Sequence, residues 1–133
     1  MVALTVVGEV VLVRQFREAI RSPLLEIPAG VMDLEEERPE TCAARELREE
    51  TGYAAFSIEH LATIYTSPGF ADERVAVFLA QAEHAGERGE VGVETVLLPF
   101  GEALETVRRG AITDAKTVAG LLLAADRLPG VTD

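Results

Sequence analysis

Hydrophobic and polar positions alternate in short runs at the start of the chain. Val2 to Val7 and Val10 to Arg14 are rich in β-branched residues and flank Gly8-Glu9, which predicts two strands joined by a two-residue hairpin turn. A polar, proline-containing segment, "REAIRSP", leads to a short strand in "LLEIPAG" that ends at Pro28 and Gly30. The charged stretch that follows predicts a helix over about residues 39 to 51, with Pro39 in its first turn and Gly52 in the left-handed position just past its end. Arg38 is a poor N-cap for it.

Strand patterning resumes in "FSIEHLATIYT" and "RVAVFLAQA", separated by the turn-forming "SPGFADE". After a glycine-rich acidic loop, "VETVLL" predicts another strand. Pro99 to Arg109 predicts a helix with Leu104 and Val107 on one face and Gly110 as its stop. Asp114 caps a last helix in which Val118, Leu121, Leu122 and Ala125 recur at helical spacing as a core-facing stripe. Strands and helices interleave irregularly, so the fold class is α/β or α+β, a mixed β-sheet sandwiched between α-helices. One domain over residues 1–133 suits this length.

Composition narrows the function. The net charge is −11 with twelve basic residues, which argues against nucleic-acid binding through a positive surface. The longest apolar run, Val118 to Ala125, is far short of the ~20 residues that cross a bilayer, so no membrane partner is expected. The N-terminal segment reads as strands and not as a signal peptide, which points to the cytoplasm. Cys42 is the single cysteine and is expected to pack inside its helix.

The acidic helix carries the candidate chemistry. At about 100° per residue, Glu50 lies about 40° round from Glu46 and Glu49 about 60° the other way, so the three carboxylates share a face. Such a face is either simply solvated or a site for hard cations. With His60 and His84 the only imidazoles in the chain and Cys42 the only thiol, a metal site here would be all oxygen, suited to Mg²⁺ or Mn²⁺.

Arg45-Glu46-Leu47-Arg48-Glu49-Glu50-Thr51-Gly52-Tyr53 fits the pattern R-E-U-x-E-E-x-G-U, in which U is a bulky apolar residue, and seven residues, Arg38 to Ala44, separate Glu37 from Arg45. The segment Gly30 to Tyr53 thereby resembles the Nudix box, G-x5-E-x7-R-E-U-x-E-E-x-G-U. It departs by one residue, since six positions separate Gly30 from Glu37 where the box has five. Glu36 keeps the spacing from Gly30 and Glu37 the spacing from Arg45; Glu37 is preferred, because a loop absorbs an extra residue more easily than a helix.

The resemblance implies a Nudix fold, with Glu46 and Glu50 as metal ligands, Glu49 as a direct or water-mediated ligand, the Ala29 carbonyl as a further donor and Arg45 orienting the glutamates. "VVLVRQFR", "LLEIPAG", "SPGFADE", "LPFGEALE" and "DAKTVAGLLL" are, in that order, similar to stretches of the ADP-ribose pyrophosphatase subgroup. That likeness implies Mg²⁺-dependent hydrolysis of ADP-ribose, or of a similar nucleoside diphosphate linked to X, to AMP and ribose 5-phosphate. The alternatives are another Nudix substrate (an oxidised nucleoside triphosphate, a diadenosine polyphosphate or NADH) and a non-catalytic nucleotide sensor.

A general base in this subgroup often comes from a glutamate on a late loop. "AGERGEVG" stands there, with Glu90 the first candidate and Glu87 the second, and its glycines would let the loop move. Arg14, Arg17, Glu26, Phe70 and Glu73 are candidate substrate contacts. The subgroup also implies a homodimer, built in part by several dozen residues that usually precede the first of these stretches and that have no counterpart in this sequence.

Overall fold

The computed structural model describes residues 1–130. Its elements run β1 (Val2–Leu4), β2 (Glu9–Arg17), β3 (Ser22–Glu26), α1 (Pro39–Thr51), β4 (Tyr53–Tyr65), β5 (Arg74–His84), β6 (Glu94–Pro99), α2 (Phe100–Arg108) and α3 (Ala115–Ala125). The strands form one six-stranded sheet in the order β3-β2-β1-β5-β4, with β6 also paired to β2. The β1–β5 pair is parallel and every other pair antiparallel, so the sheet is mixed.

Side-chain alternation along the strands divides the core into two layers, because successive residues of a strand point to opposite faces. Ala3 of β1, Val11 of β2 and Phe78, Ala80 and Ala82 of β5 pack with Leu47 of α1. Val2 and Leu4, Val10 and Leu12, and Leu79 instead pack with Phe100, Ala103 and Leu104 of α2 and Leu121 and Ala124 of α3. The sheet is therefore sandwiched between α1 and the α2–α3 pair, as expected from the sequence. Leu47, Leu104 and Leu121 are fully buried, each worth about 1.5–3 kcal/mol of transfer free energy.

Three expectations change. The first turn is longer than two residues: it runs from Thr5 to Gly8, closed by Gly8 N donating to Thr5 O at 3.0 Å and Thr5 N to Glu9 O at 2.8 Å. Val6 and Val7 thus protrude into solvent instead of pairing, and Gly8 takes a φ of 82° that suits glycine. Strand β2 continues to Arg17, because Val13 to Arg17 pair with Ser22 to Glu26 and draw part of the polar segment into the sheet. The core stripe of α3 is also rotated: Leu122 is 44% exposed, and Thr117, Gly120, Leu121, Ala124 and Ala125 are buried. Helix α3 lies so close to the sheet that a Cβ on Gly120 would stand 3.0 Å from Ile27 Cδ1 and 3.1 Å from Val2 Cγ2, so small residues outrank leucine on that face.

The acidic helix forms as its punctuation predicts. No side chain caps its start, and Pro39 occupies the first turn where its missing N–H is harmless. Gly52 stops it at φ 78° and donates to Arg48 O. Among the described residues no helix is long and apolar enough to cross a membrane.

Candidate active site

Helix α1 aims Leu47 into the core, and its Glu46 and Glu50 carboxylates lie on the flank that faces Ala29 and Gly30 in the loop after β3. Gly30 has a steric role there: a Cβ at this position would lie 2.0 Å from Glu46 Cδ, so only glycine leaves room for the Glu46 carboxylate beside the loop backbone. Glu50 is 8% exposed, and its Oε2 is a buried oxygen without a hydrogen-bond partner. Burial, then the negative charges of Glu46 and Glu90, push its carboxyl up to about 7. Burial also raises the Glu46 carboxyl, against the pull of Arg45.

Arg45 braces the cluster. Its guanidinium forms a two-pronged pair with Glu37 (Nε to Oε2 2.9 Å, Nη2 to Oε1 3.1 Å) and also reaches Glu46 Oε1 at 3.1 Å and Glu49 Oε2 at 3.1 Å. The Glu37 pair, chiefly, raises the arginine above its already high value and holds Glu37 below the ordinary carboxylate range. Of the two residues competing for the early box position, it is Glu37 that meets the helix. Glu36 is exposed and takes the left-handed φ of 63°, a local kink that accommodates the extra loop residue.

The donor set fits a hard divalent cation. It is all carboxylate and carbonyl oxygen, it includes the partnerless Glu50 oxygen, and glycine opens the space beside Glu46. Among the described residues no three His, Cys, Asp or Glu side chains converge closely enough to hold a metal as they stand. Glu46 and the more exposed Glu49 are both held in ion pairs with Arg45.

A cavity of about 840 Å³ adjoins this flank, and Ala29 and Gly30 belong to its wall. Its lining includes Arg17, Glu26, Glu73, Asp114 and Lys116 but stops short of Glu46, Glu49 and Glu50. Glu26 is 1% exposed and lies between two cations: Arg17 grips it through Nε at 2.7 Å and Nη2 at 2.8 Å, and Lys116 Nζ donates to its Oε1. Burial alone would raise the Glu26 carboxyl, but the two cations outweigh it and hold it below the ordinary range. Asp114 Oδ2 accepts from Lys116 Nζ at 3.0 Å, from Thr117 Oγ1 and from Thr117 N, and Thr117 Oγ1 accepts from Ile27 N. This chain of bonds joins the start of α3 to the end of β3.

The sequence candidates thus fall into three groups. Glu46, Glu49, Glu50, Arg45, Ala29 and Glu90 gather at the C-terminal half of α1, whereas Arg17, paired with Glu26, and Glu73, bonded to Thr66, line the cavity. The others differ. Arg14, paired with Glu94 across β2 and β6, and Phe70, 89% exposed and outside the cavity lining, lie apart, and Glu87 sits at the end of α1 with its carboxylate engaged by Arg48. Lys116 was not anticipated, although a lone glutamate in the apolar strand "LLEIP" signals that buried cations must answer it.

The late loop is docked and not free. Glu90 N donates to Glu50 O at 3.2 Å and Ala85 N to Gly52 O at 2.9 Å. A Cβ on Gly89 would lie 2.4 Å from Glu50 O, and one on Gly52 would lie 2.3 Å from Glu87 O. Gly89 therefore serves close approach, in place of the looseness expected from it.

A mixed sheet between helices, with a braced carboxylate face beside a glycine-opened loop, defines a Nudix domain. The sequence profile of the NUDIX domain family matches residues 1–121, and the chain belongs to that family. It is 41% identical to the GDP-mannose pyrophosphatase of Cronobacter sakazakii, over 93% of this chain and 69% of that protein. It is 43% identical to the ADP-ribose pyrophosphatase of Bacillus subtilis, over 86% of this chain and 64% of that protein. The chain thus spans about two thirds of the length of these relatives. A crystal structure of an ADP compounds hydrolase superposes with a TM-score of 0.80 at 22% identity, covering 97% of this chain and 71% of that one, and shows the same fold.

Proposed function

We propose that this protein hydrolyses the diphosphate of ADP-ribose or a similar nucleoside diphosphate linked to X with Mg²⁺ or Mn²⁺, releasing AMP and ribose 5-phosphate when ADP-ribose is the substrate. The observation that carries the reading is a shared wall: Ala29 and Gly30 line the cavity on one side and abut the Glu46 and Glu50 carboxylates on the other. Glu46, Glu50 and the Ala29 carbonyl would hold the cation, with Glu49 at its edge. When bound, the divalent ion screens the diphosphate charge and acidifies the attacking water.

The chain's own residues do the rest. Arg45 keeps Glu46 and Glu49 aligned, and Glu90, whose charge is felt at Glu50, accepts the proton of the water. In the cavity, Arg17 and Lys116 offer cationic donors to phosphate or ribose oxygens, and Glu26 fixes their direction. An acidic protein binds an anion because these charges are local.

Activity on GDP-mannose is a second arm of the reading, since relatives bearing that name are about as similar as those named for ADP-ribose. The test is a panel with Mg²⁺ containing ADP-ribose, GDP-mannose, NADH, diadenosine polyphosphates and an oxidised nucleoside triphosphate. AMP from ADP-ribose, or GMP from GDP-mannose, supports the reading. No hydrolysis of any nucleoside diphosphate-X with either cation refutes it, as does full activity in Glu50→Gln. The reading extends to a homodimer in the cytoplasm, which light scattering and cell fractionation would test.

A further inference from the structure

We propose that Arg48, which lies outside the carboxylate cluster, positions Glu90 by latching the 85–93 loop to the last turn of α1 through Glu87. The proposal rests on the reading of Glu90 as the base. Arg48 grips Glu87 with both arms of its guanidinium, Nε to Oε2 at 3.1 Å and Nη2 to Oε1 at 2.6 Å, across 39 positions of sequence. Two-pronged geometry fixes orientation as well as distance.

The latch is one of several contacts that tie the loop to the helix end. The last carbonyls of a helix have no partner within it, and here Glu90 N answers the Glu50 carbonyl directly. Gly89 and Gly52 let the two backbones approach to a distance that any Cβ would block. Residue 90 is therefore bonded at its backbone to residue 50, and the Arg48–Glu87 pair clamps the loop three residues earlier. Loosening the clamp lets Glu90 move away from Glu50 without touching a carboxylate of the cluster.

Both latch residues are about half exposed, so the pair changes the population of the docked loop by no more than about fivefold. Arg48→Ala and Glu87→Ala should each lower kcat on ADP-ribose by about two- to fivefold, with KM within about twofold. The double variant should be no slower than the slower single, and the charge-reversed Arg48→Glu, Glu87→Arg pair should recover most of the rate. Arg108→Ala, which breaks the exposed Arg108–Glu105 pair elsewhere, should change nothing.

Amide exchange at Glu90, followed by NMR without substrate, should quicken severalfold in Arg48→Ala. Unchanged kcat in both single variants, losses that multiply in the double, or an unmoved Glu90 amide would overturn the latch. A wild type that hydrolyses nothing while its Glu90 amide still quickens in Arg48→Ala would uphold the latch and sink the proposed activity instead.

Discussion

Glu50→Gln should remove activity and at the same time stabilise the metal-free protein at neutral and alkaline pH. In the fold the Glu50 carboxyl titrates at about 7 against an ordinary 4.5, because burial and the charges of Glu46 and Glu90 oppose its ionisation. Below pH 4.5 the group is neutral folded or unfolded, and it contributes no difference. Between 4.5 and 7 the unfolded chain ionises first, so folding loses stability as pH rises. Above 7 the whole penalty is present, about 3 kcal/mol as an upper bound from that shift. Glutamine keeps the shape and never ionises, so it avoids this penalty, less whatever its own buried amide leaves unsatisfied. In EDTA the variant should therefore match the wild type near pH 4.5 and melt about 5–10 °C higher at pH 8, at about 4 °C per kcal/mol for a chain of this size. Excess Mg²⁺ at pH 8 should raise the wild-type midpoint and leave the variant nearly unmoved. Differential scanning calorimetry across pH 4.5 to 8 reads all of this. A difference that is flat with pH, or a variant less stable at pH 8, would refute the burial argument for Glu50.

Arg45→Ala should raise the Mg²⁺ concentration at half-maximal rate about tenfold or more, because Glu37, Glu46 and Glu49 lose their common partner; an unmoved Mg²⁺ midpoint would count against the brace. Gly30→Ala places a methyl group 2.0 Å from Glu46 Cδ, so kcat should fall about 100-fold while the thermal midpoint stays within a few degrees; near-normal turnover would show that Glu46 has another way to its place. Lys116→Met leaves the buried Glu26 with Arg17 alone, and should raise KM about tenfold and lower stability by roughly 3 kcal/mol in urea titration, whereas a change in stability with KM untouched would confine Lys116 to a structural role.

What was legible in the sequence follows from the range over which each signal acts. Helix α1 came out at its observed bounds because Pro39 and Gly52 act within a turn of where they stand, and a left-handed glycine stop needs no tertiary partner. The α3 stripe did not, because hydropathy ranks Leu122 above Gly120. The distance of the helix from the sheet decides which wins, and that distance is set by Val2 of β1, Val77 of β5 and Ile27 just past β3. The first hairpin failed for a related reason. Val6 and Val7 carry strand propensity, but β1 ends at Leu4, and the turn that satisfies Thr5 and Gly8 leaves both valines without partners.

The candidate site divides along the same line. The shared face of Glu46, Glu49 and Glu50 is a property of one helix, so spacing alone exposed it, and the seven residues between Glu37 and Arg45 favoured Glu37 over Glu36 even where the interval to Gly30 failed; the pair that Glu37 makes with Arg45 appeared only in the structure. The cavity pairs were illegible for the opposite reason, since Glu26 and Lys116 are ninety residues apart and meet only when α3 docks on the end of β3. The late loop belongs between these cases. Its glycines were visible and their purpose was not, because a glycine that permits motion and one that permits contact look alike until the opposing backbone is known. Glu50 O at Gly89 and Glu87 O at Gly52 supply that backbone, and they turn a loop expected to be loose into one docked on the helix that carries the carboxylates.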